Sequence, residues 1–531
     1  MANAKRGKWS SNLGFILAAV GSAVGLGNIW GFPYKMGKSG GFTFLLIYLA
    51  LAVFVGMIIM TAELALGRKT GTGVVGAYQK ASKKFKWIGW LGILSPFFIM
   101  SFYSVLGGYC IQYMSLNLAE LSFGLGGIFG QPVGGSMTFG PMLSNPIGCA
   151  AFTLIFLVIC MLIVKGGVSG GIEKFNKIGM PALFFMLVIV IIRSVTLPNA
   201  TEGLKFMFVP GYAVEAGFVA ESPNFVSVLA TAGGQMFFSL SLAMGAIITY
   251  GSYLGKKENL VKNSAVIVGA DTLIALMAGL AVIPAAVANG INNGTPLNEI
   301  QLGGPKLLFV TLQDVFASMG TIGAVFGIIF YALVIIAAIS SAISLMEVIA
   351  SYFIDKQVEK GKEPDRTKIT LLVSAAITVE ALIVAIDGLG SNGIWVPFQR
   401  FFSEGVPMFC DCWLDFMDGL SEGIMMPLGA MLMALMIGWE LKPSFTLGEI
   451  HGGDERSTFF DKFFIVCIKF VVPIAMAFIL AGQLIDFFLC PETEAFIKPL
   501  CYGISGGLLL VFFAVAVYRP IRIGRRKKKA E

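Results

Sequence analysis

Charge is scarce in this chain: Asp, Glu, Lys and Arg together make up only 13% of its 531 residues. Histidine is nearly absent, with His451 standing alone. The eight cysteines show no metal-ligand spacing. These shortages exclude histidine- and thiolate-based metal centres. No nucleophile–base set is visible, so the chain does not read as an enzyme. The net charge of +7 is not a nucleic-acid signal, because the Lys and Arg residues lie in short loops between apolar runs. Cys410 with Cys412, and Cys490 with Cys501, lie in or beside two outer loops; oxidation of either pair is the alternative to the free thiols they read as.

Apolar residues, by contrast, are abundant at 56%. Many runs reach the length of about 20 residues needed to cross a hydrocarbon core of about 30 Å. Such runs indicate an all-α polytopic membrane protein; barrel strands are about 10 residues long. The basic segment 1–12 is followed by no small-residue cleavage site, so the first run is expected to stay in the protein. Twelve transmembrane helices are expected, at roughly 12–36, 41–67, 88–121, 145–165, 178–197, 224–254, 263–289, 321–354, 368–388, 412–440, 463–488 and 497–518; they are numbered spans 1 to 12. The N-terminus, the even-to-odd loops and the tail carry 30 of the 38 Lys and Arg residues, and the opposite loops carry 6. The positive-inside rule therefore puts both termini in the cytoplasm. The short tails suggest a bacterial inner membrane. Arg525 to Lys529 form the last positive anchor. Among the outer loops, 289–320 is apolar enough for short helices, and 389–411 reads as a surface helix, a lid or an ordered linker.

Span 1 is interrupted. Gly21-Ser-Ala-Val-Gly-Leu-Gly-Asn28, followed by Pro33, is a poor continuous helix, since glycine costs about 1 kcal/mol and proline about 3 in a helix interior. Unwound backbone at membrane depth is tolerated where it lines a cavity or is buried in protein. A glycine-rich helix packed tightly on a neighbour is the alternative. Span 6 has a similar interruption at Phe237-Phe-Ser-Leu-Ser-Leu-Ala-Met-Gly245. Two breaks one repeat of five spans apart fall in halves of opposite orientation. Such a pair is the sequence pointer to a transporter site at the membrane midplane.

Freed carbonyls suit a hard cation, and helix N-termini suit a carboxylate. Candidate side chains beside the breaks are Asn28, Ser239, Ser241, Ser340, Ser341 and Asp271. A membrane serine often bonds only to its own helix. Asp271 is more telling, because a mid-membrane carboxylate costs at least about 2.5–3.5 kcal/mol and needs a partner. A bound cation, protonation or a polar helix interface would each supply one. Tyr103, after Pro96, can donate to a substrate carboxylate or to another helix. Glu63 is a second buried charge with no partner evident in sequence.

Gly21-Ser-Ala-Val-Gly-Leu-Gly-Asn-Ile-Trp30 with Phe32-Pro33-Tyr34 resembles the span 1 signature of the neurotransmitter:sodium symporters. Gln235-Met-Phe-Phe-Ser-Leu-Ser-Leu242 resembles their span 6 signature. The resemblance covers nearly the whole chain. It implies a five-plus-five inverted repeat with broken helices 1 and 6, and Na⁺-coupled uptake of amino acids or related amines. The implied divisions are an N-terminal latch (1–11), a first repeat (12–200), a second repeat (224–440), spans 11 and 12 (441–518) and a basic tail (519–531). The implied first Na⁺ site is the Ala23 carbonyl with Asn28, Ser239, Asp271 and the substrate carboxylate. The second is the carbonyls of Gly21, Val24 and Ala337 with the hydroxyls of Ser340 and Ser341. The substrate carboxylate would meet amides near Leu26 and Gly27 and the Tyr103 hydroxyl. Its amino group would meet carbonyls near Ala23, Phe238 and Ser239. Ile99, Phe238, Ser241, Met244, Ser341 and Leu345 match side-chain pocket positions; this uncharged lining implies a neutral, hydrophobic amino acid. Arg6 and Trp9 resemble the latch, Asp355 its acidic partner, and Ser252 and Tyr253 the linking residues.

Two departures matter. Many relatives have Asn at the position of Asp271 and use chloride; a fixed Asp supplies that charge itself, so chloride is not expected. Relatives commonly carry Arg where this chain has Gly31, paired with an acid in span 10. The acid resembles Asp418, and Lys35, one turn beyond Gly31, is the candidate substitute; otherwise Phe238 and Tyr103 close the outer side by packing. A cation-independent exchanger of the same fold, a ligand-binding sensor and a channel are the competing readings. The oligomeric state stays open, a homodimer included.

Overall fold

The computed structural model describes residues 8–123, 134–219, 221, 223–300, 302, 304–397, 412–451, 459–488 and 494–518. Among them the chain is helical throughout, with no strand. Ten helices are long and apolar enough to cross a membrane: Phe42–Thr70, Ile88–Leu121, Pro146–Lys165, Val168–Val195, Leu260–Asn292, Ile322–Glu359, Arg366–Asp387, Trp413–Glu440, Phe459–Phe487 and Phe496–Val517. Two further segments are broken. Span 1 is Asn12–Ala23 joined to Gly27–Lys38 with a bend of 47°. Span 6 is Phe225–Ser239 and Ala246–Gly251, separated by a short unwound stretch. The twelve expected spans are all present, and both breaks fall where the sequence placed them.

Local chemistry sets many of the boundaries. Span 4 starts at Asn145, whose side chain accepts from the amide of Gly148, with Pro146 at the first helical position. Asn259 and Asp365 cap spans 7 and 9 in the same way, accepting from the amides of Lys262 and Lys368. Span 5 begins ten residues before its expected start, because Val168–Ile172 winds directly into the helix that follows. The outer loop 289–320 contains the expected short apolar helix, Leu307–Ser318. Residues 398–411 of the other outer loop, with Cys410, and also Cys490 and the tail 519–531, lie outside the described residues.

The broken spans sit at the centre. Span 8 packs along span 3 and against the first helix of span 1, Asn12–Ala23, and span 7 packs against that helix as well. Spans 3 and 10 bury 72% and 78% of their most apolar stretches against protein, whereas span 12 buries 17%, which places it at the lipid-facing edge.

Candidate functional site

The first helix of span 1 ends at Ala23. Val24 turns to an extended conformation, although its amide still reaches the Val20 carbonyl at 2.6 Å. Breaking the ladder here leaves carbonyls without intrahelical donors. Two hydroxyls of span 8 face them. Ser340 Oγ lies 3.2 Å from the Val24 carbonyl and 2.8 Å from that of Ala337. Ser341 Oγ lies 3.3 Å from the carbonyls of both Gly21 and Val24. Three carbonyls and two hydroxyls thus converge, an all-oxygen donor set of the kind hard cations take. Close approach explains the glycines. A Cβ on Gly25 would stand 2.3 Å from both Ser341 Oγ and the Tyr103 hydroxyl, and one on Gly21 would stand 1.9 Å from Asn176 Oδ1.

On the other side of the break, Asn28 is fully buried. Its Oδ1 accepts from the Gly25 amide at 3.0 Å. Its Nδ2 donates to Asp271 Oδ1 at 2.7 Å and to the Asp271 carbonyl at 3.2 Å. Ser239 donates to both carboxylate oxygens, at 3.1 and 3.0 Å, and Tyr48 donates to Oδ2 at 3.3 Å. The described partners of Asp271 are therefore neutral donors, and Lys262, the nearest base in sequence, is not among them.

The unwound stretch of span 6 is conformationally unusual. Ser241 and Ala243 hold φ of 53° and 60°, and Gly245 holds 77°. Left-handed non-glycine residues cost energy and cluster at functional sites. The stretch is pinned by Ser241 Oγ donating to the Ser22 carbonyl at 2.7 Å and by the Ala243 amide donating to Glu63 Oε1 at 2.8 Å. The second bond supplies the partner for Glu63 that the sequence did not reveal.

Between the two breaks lies a small cavity, lined from span 1 by Ala23 and Gly27, from span 3 by Ile99 and Tyr103, from span 6 by Phe238, Ser241 and Met244, and from span 8 by Ser341 and Leu345. None of the lining side chains is charged. The Leu26 amide points at the Tyr103 hydroxyl at 2.9 Å. Tyr103 and Phe238 close one side with ring centroids 6.3 Å apart.

Toward the end of the bundle holding Lys35, Lys35 Nζ pairs with Glu422 of span 10. The expected partner, Asp418, lies one helical turn earlier, hydrogen-bonded to Glu422 and within electrostatic reach of Lys35, so the basic group faces an acidic pair. Nothing replaces the missing side chain at Gly31 itself, where a Cβ would stand 2.7 Å from Gln235 Oε1. At the opposite end, Trp9 donates from its indole to the Tyr250 carbonyl at 3.1 Å and packs edge-on against Phe15, Tyr250 and Tyr253. Ser252 donates to the Thr249 carbonyl. Tyr253 donates to Glu347 Oε1 at 2.9 Å, and Arg366 of span 9 holds the same carboxylate with both terminal guanidinium nitrogens. Asp355 Oδ2 accepts from the Gly73 amide at 2.7 Å; Arg6 lies outside the described residues.

Sequence reasoning passed over Tyr48, Glu347, Arg366 and Glu422. It quoted Gln235 only within a signature, yet Gln235 Nε2 donates to the Gly27 carbonyl at 2.7 Å, tying the two breaks together. Glu347 and Glu422 were visible as charges inside apolar spans, a signal that finds such sites.

Two broken helices enclosing an uncharged cavity, with oxygen clusters on either side, define a polytopic transporter. The family model described as the sodium:neurotransmitter symporter family matches residues 6–124 and 142–523, and the chain belongs to that family. Among its relatives are an uncharacterised sodium-dependent transporter of Bacillus subtilis, YhdH, 33% identical over 478 residues and covering 90% of this chain and 97% of the relative. One from Methanocaldococcus jannaschii is 31% identical, covering 87% and 85%. The human sodium- and chloride-dependent GABA transporter 2 is 24% identical, covering 75% and 69%. The crystal structure of MhsT in complex with L-phenylalanine superposes with a TM-score of 0.75 at 34% identity, over 90% of this chain and all of that one. The chain is a multi-pass membrane transporter of the sodium:neurotransmitter symporter family, with the five-plus-five broken-helix fold.

Proposed function

We propose that this chain imports a neutral, hydrophobic amino acid together with Na⁺ by alternating access. The observation that carries the reading is the division of labour within residues 21–28: one unwound segment faces two oxygen clusters and the uncharged cavity between them. The bound phenylalanine in the MhsT structure supports the substrate class.

In this reading the Gly21, Val24 and Ala337 carbonyls with Ser340 and Ser341 hold one Na⁺. The Ala23 carbonyl with Asn28, Ser239 and Asp271 holds the other, next to the substrate carboxylate. That carboxylate takes the Leu26 and Gly27 amides and the Tyr103 hydroxyl; the amino group takes carbonyls near Ala23, Phe238 and Ser239. Ile99, Met244, Ser241 and Leu345 receive the side chain. A carboxylate touching Na⁺ couples the two affinities, and the coupling is reciprocal. Each Na⁺ entering down the membrane potential contributes about 2.3 kcal/mol per 100 mV. The fixed charge of Asp271 makes chloride unnecessary. Residues 12–200 and 224–440 form the two repeats, and both chain ends lie in the cytoplasm of a bacterial cell.

Tracer uptake into proteoliposomes, with and without an inward Na⁺ gradient, tests the reading. Accumulation should require the gradient and be competed by hydrophobic amino acids. Gradient-insensitive exchange would point to the cation-independent reading, and binding without accumulation to a sensor.

A further inference from the structure

An open cleft lies far from the broken helices, where spans 10 and 12 end and span 11 begins. It has a volume of about 770 Å³ and is walled by Trp439, Lys442, Ser444, Ile465, Lys469 and Val517. The wall mixes apolar side chains with two ammonium groups and the Ser444 hydroxyl. Neither lysine has a carboxylate within ion-pair distance among the described residues. Some lysines at this end of the bundle are engaged, as Lys356 is with Glu359 and Lys177 with Glu173. Lys469 instead stands over the Trp439 ring, 5.2 Å from its centroid, while the Trp439 indole donates to the Lys469 carbonyl at 3.2 Å. Lys442, directly after span 10, adopts a left-handed φ of 67°, a conformation that persists in ordinary residues only where its surroundings hold it.

We propose that this cleft binds an anionic phospholipid, its phosphate between Lys442 and Lys469 and an acyl chain along Ile465, Val517 and Trp439. Three observations favour a lipid over other occupants. Span 12, which contributes Val517 to the wall, is the least protein-covered of the ten long apolar helices, so the cleft lies beside the most exposed apolar helix. Tryptophan marks the level of the headgroups, and basic pockets between spans take anionic headgroups. The chain's own tail, with Arg519, Arg522, Arg525, Arg526 and Lys527 to Lys529, is too basic to offer the two lysines a counter-charge.

The test is native mass spectrometry of the full-length detergent-solubilised protein titrated with phosphatidylglycerol. Each lysine near a headgroup contributes about a fivefold gain in affinity. Lys442→Gln with Lys469→Gln should therefore weaken binding about 25-fold. Lys442→Arg with Lys469→Arg should keep it, which separates charge from misfolding. Lys356→Gln with Lys360→Gln should leave it unchanged. The proposal is overturned if phosphatidylcholine binds equally well or if the control pair weakens binding as much. It is also overturned if free glycerol phosphate displaces the lipid at equal concentration, which would mark a soluble-anion site, or if only a dimer mass appears with lipid excluded.

Discussion

Asn28 Nδ2 donates to Asp271 Oδ1 at 2.7 Å, joining the unwound middle of span 1 to the buried face of span 7. This contact bridges 243 positions of sequence and fixes a carboxylate beside the break. If the charge of Asp271 replaces chloride, wild-type uptake is the same in chloride and gluconate media. Asp271→Asn should then lose at least about tenfold in chloride-free uptake, the loss of a charged hydrogen-bonding group being about 1.5–3 kcal/mol. Full chloride-free activity in that variant, or a chloride requirement in the wild type, sinks the idea.

Ser341 reaches two freed carbonyls and also lines the cavity. Ser340 reaches the same carbonyl cluster but not the cavity. Ser340→Ala should therefore raise the Na⁺ concentration for half-maximal uptake by about tenfold with a smaller effect on substrate KM at saturating Na⁺. Ser341→Ala should raise both. Uptake measured over a matrix of Na⁺ and substrate concentrations separates the two.

Tyr103→Phe removes the hydroxyl that the Leu26 amide faces while keeping the ring against Phe238. A lost hydrogen bond to a charged group costs about 1.5–3 kcal/mol, so substrate affinity should fall roughly 10- to 100-fold. Scintillation-proximity binding reads this directly, and unchanged affinity would remove Tyr103 from the carboxylate site.

Gly25→Ala puts a methyl 2.3 Å from both Ser341 Oγ and the Tyr103 hydroxyl. These are side-chain ends that can swing away, so the fold should survive with a monodisperse elution profile. Substrate binding should be lost, because both groups leave their places in the cavity.

Lys35 and Glu422 form a half-buried pair between spans 1 and 10. Either Lys35→Ala or Glu422→Gln alone strands a partner and should weaken substrate affinity. The double variant should be less impaired than the sum of the two, with a coupling of about 0.5–3 kcal/mol. If Lys35→Ala leaves affinity unchanged, the pair does not close the outer side. An Asp418→Asn variant should have the smaller effect, since the pair forms one turn away.

Span count, both breaks and the oxygen-bearing side chains around them were legible in the sequence, because membrane helices must announce themselves by length and hydropathy and because glycine runs are costly there. Asn28, Ser239, Asp271, Ser340 and Ser341 stood out as polar residues beside those breaks. Register across helices was not legible. The shift from Asp418 to Glu422 is a single turn, and both are acids on one face of span 10, so sequence cannot choose between them. Tyr48 was hidden for a different reason. An aromatic in an apolar span looks like core, and only the fold brings its hydroxyl to Asp271. The earlier start of span 5 escaped because Gly166 and Gly167 read as a loop, whereas the helix begins immediately after them.

The carboxylate of Glu347 serves two masters: Tyr253, just beyond the inner half of span 6, and Arg366, at the foot of span 9. If the inner side opens by moving span 6, the phenol departs and the guanidinium stays. No lone charge is then left stranded in a dry interface, an event that would cost several kcal/mol. On that motion the phenol is the expendable partner and the guanidinium the permanent counter-ion, so the contact would work as a ratchet pawl with a fixed seat.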